Sequence, residues 1–169
     1  MINNIIKYGL YAVILVLVQL LACNNIQFSG YINPYVYLLF ILILPVDTPS
    51  WLLLLVAFLM GLIIDIFSGT FGLHAFATTF IAFIRPTVLG LIAPHDGYQS
   101  SQSGLSIGSY GFKWFLIYSS ILVFVHHFVL FFLEVFRMTN FFNTFLRVLL
   151  SSIFSVLFIL LFELIRRGK

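Results

Sequence analysis

Apolar residues run almost unbroken through six stretches of the chain, at 8–22, 35–46, 51–67, 73–84, 112–133 and 145–162. Turn-forming residues punctuate them at Asn33-Pro34, Pro45, Pro49, Gly69, Gly72 and Pro86. Proline removes a backbone donor and glycine permits a turn, so these are natural ends for helices. A helix rises ~1.5 Å per residue and a bilayer core is ~30 Å thick, so about 20 apolar residues make one crossing. The pattern therefore predicts six helical spans, near 8–24, 31–46, 50–67, 71–85, 112–133 and 144–163, in one polytopic domain over residues 1–169. The second and fourth runs are short for a full crossing. They either borrow flanking polar residues or do not cross completely.

Residues 94–111, PHDGYQSSQSGLSIGSYG, are the one long polar stretch, and their Gly and Ser content predicts a mobile loop. The preceding PTVLGLIAP (86–94) is apolar but bracketed by prolines. It either lies along the inner interface, with Arg85 reaching the headgroups, or continues the fourth span as one kinked helix over 71–93. An even number of spans puts both termini on one side. Lys7 and the tail IRRGK place that side, with the 94–111 loop, in the cytoplasm by the positive-inside rule, against Arg137 and Arg147 on the outer side.

Composition agrees with the pattern. The chain is 62% hydrophobic and only 8% charged, where soluble domains carry roughly a quarter charged residues. An all-α integral membrane protein is the expected class, with no soluble domain beside the bundle. The formal net charge is +3 and no basic stripe is present, which argues against nucleic-acid binding. Cys23 is the only cysteine, so no intrachain disulfide or multi-cysteine metal site can form. The LLAC at 20–23 has the look of a lipoprotein signal, but one basic residue before it and many apolar segments after it argue otherwise.

Ionisable residues inside such spans are costly and tend to face the bundle interior with partners. Asp65 falls near the outer end of the third span and His74 just beyond the Ser68-Gly69 turn, at similar depth on neighbouring antiparallel helices. Their spacing allows them to pair or share a water. Gly61 lies on the face of Asp65 at i−4, where a small residue lets another helix approach. Two readings stand: a substrate or proton site, or a polar clamp in which Asp65, Ser68 and Thr70 satisfy the backbone of SGTFG. The clamp is preferred.

Two polar seams follow. His74, Thr78, Ile81 and Arg85 share one face of the fourth span, and Lys113, Ser120, His127 and Glu134 recur every seven residues on the fifth, drifting ~20° per step. Such seams more often bind helices together than conduct ions. His126 and His127 are adjacent, about 100° apart on a helix, and no H-x-x-x-H pattern accompanies them, so no metal is expected. Glu134 and Arg137 suit a local i,i+3 ion pair. Trp51, Trp114 and Tyr118, near span ends, suit an interfacial belt. No nucleophile or acid/base pair is recognisable, so neither catalysis nor a cofactor is expected.

The stretch GLIIDIFSGTFGLHAFATTFIAFIRP (61–86) resembles the hairpin of MreD, the rod shape-determining membrane protein family. Its pattern is G-x-x-x-D, a small-residue turn, then G-x-x-A or G-x-H-A, carried here by Gly61, Asp65, Ser68, Gly69, Gly72, His74 and Ala75. Length, span number and the short charged C-terminus also fit, and RP (85–86), HDGY (95–98) and HH (126–127) look like Bacteroidetes-type members. The low basic content of the inner loop and the LLAC segment depart from the family pattern. The resemblance implies a non-catalytic scaffold of the cell-elongation machinery in the bacterial inner membrane, with MreC, MreB, RodA and a class B penicillin-binding protein as partners. It also implies a bundle similar to the substrate-binding components of energy-coupling-factor transporters. That similarity supplies the alternative, a component that binds a vitamin or metal.

Overall fold

The computed structural model describes residues 2–25, 32–98, 104–136 and 141–167. Tyr31, residues 99–103 of the polar loop, Arg137 and Lys169 lie outside the described residues. The structure is all-α: α1 (Ile2–Leu21), α2 (Leu39–Ile43), α3 (Ser50–Ser68), α4 (Leu73–Leu91), α5 (Ile107–Tyr110), α6 (Phe112–Val135) and α7 (Phe141–Arg167). Helices α3, α4, α6 and α7 are long and apolar enough to cross a membrane, and α1 holds a shorter apolar stretch, Ile6–Leu21. Their outward faces carry exposed Leu55, Phe58, Phe83, Ile121 and Leu157. Large apolar side chains in that position suit lipid rather than water.

The second predicted span differs from a transmembrane helix. A 3-10 turn, Val36–Leu38, leads into the five-residue α2, and every residue from 34 to 44 is buried. Eight helical residues cover only about 12–14 Å, so the segment runs through the bundle centre as a broken helix with less regular ends. Four other elements enclose it. Irregular backbone at such depth persists only where protein satisfies it. At one end, Tyr35 N–H donates to Ser155 Oγ of α7 at 2.8 Å and Val36 N–H to Gln19 Oε1 of α1 at 2.8 Å. At the other, Tyr118 Oη of α6 donates to Leu42 O at 3.2 Å, and the Arg85 guanidinium of α4 donates to Leu44 O.

The fourth span is one helix through Pro86 to Leu91. Its last turns pack inward, with Val88 and Leu89 buried. Pro86 is exposed, so its ring lies on the outer surface, and its missing N–H removes only the bond to Ala82.

Where it is described, the polar loop is tied to the bundle on both sides of residues 99–103. Tyr98 Oη donates to Leu89 O at 2.7 Å and Trp114 Nε1 to Ile92 O at 2.9 Å, closing the end of α4. Burial pushes the Tyr98 hydroxyl up to about 12, so it remains a donor at ordinary pH. Leu105 and Ile107 are buried, and Ile107 N–H donates to Glu163 Oε1 at 3.2 Å. Apolar anchors therefore hold a stretch that composition alone marks as loose. The aromatic belt also needs correction. Trp51 is exposed at the start of α3, but Tyr118 is fully buried against α2.

Candidate functional site

Asp65 organises the turn between α3 and α4. Its carbonyl ends α3 by accepting from Gly69 and Thr70 N–H, with Gly69 left-handed at φ 67° and Gly72 at φ 82°. Its carboxylate starts α4: Oδ1 accepts from Thr70 Oγ1 at 2.6 Å and His74 N–H at 3.0 Å, and Oδ2 from Ala75 N–H at 2.8 Å. These are orphan donors at a helix N-terminus, normally capped by a residue of the same helix. Here the neighbouring helix caps them. A Cβ on Gly61 would lie 2.5 Å from the Cα of Ala75, so the two backbones meet where Asp65 reaches across. Ser68 contributes at the rim, its Oγ accepting from Asn24 Nδ2 at 3.2 Å.

Asp65 and His74 are joined through the His74 N–H, while the imidazole bonds elsewhere. It meets Tyr37, whose hydroxyl lies 3.2 Å from His74 Nδ1, 2.9 Å from Thr78 Oγ1 and 3.0 Å from His126 Nε2. Tyr35 stacks edge-on against His74, with ring centroids 4.9 Å apart, and at a tilt against His127 at 5.0 Å. His127 belongs to a different chain of bonds: Nδ1–H donates to Val123 O at 2.8 Å and Nε2 lies 3.0 Å from Ser155 Oγ. The adjacent histidines thus face different helices, as their angular separation requires.

Of the first seam, His74, Thr78, Ile81 and Arg85 are all buried on one face. The second seam is not a buried stripe. Lys113 is exposed, Ser120 half-buried and Glu134 exposed; only His127 is enclosed. Three seven-residue steps accumulate about 60° of rotation, which carries the ends off the packed face. Glu134 pairs with Arg147 at 2.9 Å.

Sequence reasoning missed Gln19, Tyr35, Tyr37, Tyr118 and Ser155. A signal existed for Gln19, the one amide inside the first apolar run, and for Ser155, which repeats Ser151 one helical turn on. Tyrosines gave none, because they also occur at lipid interfaces. Among the described residues, no three His, Cys, Asp or Glu side chains converge as a metal site.

These observations define a multi-pass, all-α membrane protein whose interior polar side chains are mostly bonded to its own backbone. No protein family, curated protein or solved structure matches the chain.

Proposed function

We propose that this chain is a non-catalytic scaffold of the MreD type in the bacterial inner membrane, with both termini cytoplasmic, supporting peptidoglycan synthesis and cell shape. In this reading the α3–α4 hairpin presents a fixed surface to MreC, and the assembly includes MreB, RodA, a class B penicillin-binding protein and membrane lipid. The same reading makes the bundle similar in kind to energy-coupling-factor substrate-binding components. The observation that supports the reading is the use of Asp65: both carboxylate oxygens are bonded to the turn and to α4. An acid so engaged is suited to fixing a shape rather than to moving protons.

Affinity purification from native membranes in mild detergent tests this. Asp65→Asn turns one oxygen into a donor facing an N–H, and Gly61→Leu drives a side chain into the α4 backbone. Both are expected to cut MreC recovery at least about tenfold, whereas His95→Ala and Asp96→Ala, in the exposed loop, leave it unchanged. Size-exclusion profiles identify variants that stay folded. Full MreC recovery by folded hairpin variants, or an ATPase module in place of MreC on the wild-type protein, overturns the proposal.

A further inference from the structure

A cavity of about 320 Å³ opens at the hairpin end of the bundle, between the ends of α1, α3 and α6 and the starts of α4 and α7. Ligand pockets begin at roughly 300 Å³, so its size suits one small molecule. Its wall includes Asn33, Tyr35, His74, Glu134 and Arg147. His74 is 3% exposed and Tyr35 9%, yet neither His74 Nε2 nor the Tyr35 hydroxyl has a hydrogen-bond partner among the described residues. The Asn33 carboxamide is likewise unbonded there, although its backbone N–H donates to Ser151 Oγ at 3.0 Å. Arg147 Nε is buried without a partner. Of these, only the Arg147 atom is itself fully buried; His74 Nε2, the Tyr35 hydroxyl and the Asn33 carboxamide are polar groups free to bond whatever occupies the cavity.

Proton placement fixes what kind. The Tyr37 hydroxyl has one proton and three neighbours: His74 Nδ1, Thr78 Oγ1 and His126 Nε2. His126 Nδ1 is buried and unbonded, and an orphaned N–H is rarer than an orphaned acceptor. The arrangement that leaves no orphaned N–H puts the His126 proton on Nε2, donating to Tyr37 as Thr78 does. Tyr37 then donates to His74 Nδ1. This leaves His74 protonated on Nε2, the nitrogen without a protein partner, on the same wall as the Asn33 amide and the Tyr35 hydroxyl. The wall is rich in donors, while its charges already cancel, since Arg147 Nη1 donates to Glu134 at 2.9 Å.

We infer that this cavity is a binding site for a small, uncharged, oxygen-rich molecule of single-ring size, held through its carbonyl or hydroxyl oxygens by His74, Asn33 and Tyr35. The inference stands independently of the partner assignment. The test uses the full chain in nanodiscs with ¹⁵N-labelled histidine, titrated with glucose and, as charged probes of the same ring size, glucosamine and gluconate. Glucose is expected to shift the His74 Nε2–H resonance saturably, with Kd at or below about 1 mM. The charged sugars bind at least about tenfold more weakly, as does glucose to the Asn33→Ala/Tyr35→Phe protein, with His127 resonances reporting an intact bundle. A spectrum with the His74 proton on Nδ1 overturns the assignment. So does the absence of a saturable shift with glucose, equal binding of the charged sugars, or an unchanged response in a folded double variant.

Discussion

Arg85 is 1% exposed and has no carboxylate within ion-pair distance among the described residues. Its Nε donates to Tyr118 Oη at 2.8 Å while Nη2 reaches Leu44 O. Two nitrogens of one planar fork thus hold the end of α2 and the tyrosine that supports it. Lysine offers a single ammonium and cannot reproduce that geometry. Arg85→Lys is expected to lower stability by about 2–3 kcal/mol, since buried acceptors lose their donor. Thermal unfolding in detergent measures it; an unchanged midpoint would mean the fork is dispensable. Asp65 was legible as an interior residue because a charge in an apolar run has few reasons to be there, whereas Arg85 fitted both a polar seam and a headgroup contact. Their partners were not: Asp65 bonds backbone amides and Arg85 backbone carbonyls, and no residue type marks which amide or carbonyl needs help.

At the scale of elements, two glycines that look alike in sequence separate sharply. At Gly61 a Cβ would meet Ala75 Cα and His74 O at 2.5 Å, whereas at Gly90 it would meet nothing within 4 Å. Gly61→Ala should cost at least about 2 kcal/mol by forcing α3 and α4 apart. Gly90→Ala should be neutral or stabilising by about 0.5–1 kcal/mol, because alanine restricts the unfolded chain and favours helix. Parallel chemical denaturation of the two distinguishes them, and equal effects would refute the close approach. The long helices were legible because length and hydropathy suffice to mark them. The central segment was not, since a run such as VYLLFILIL is apolar on every side whether it meets lipid or protein. Its burial on all sides is decided by Gln19, Ser155, Tyr118 and Arg85, which lie as much as 120 residues away in sequence.

For the whole molecule, the element order alternates direction so that the α3–α4 turn and the 94–98 loop lie at opposite ends of α4. In a Cys23→Ser background, Phe71→Cys and His95→Cys, both at exposed positions, should react with a membrane-impermeant maleimide from opposite faces of a sealed vesicle. Labelling of both from one face would be incompatible with α4 as a crossing. The enclosed central segment also bears on the order of assembly. Residues 34–44 leave the ribosome before α4, α6 and α7, yet Arg85, Tyr118 and Ser155 come from those later helices. Only Gln19, already synthesised, is at hand to receive Val36 N–H. The middle of this protein is therefore completed last, by the helices that close around it.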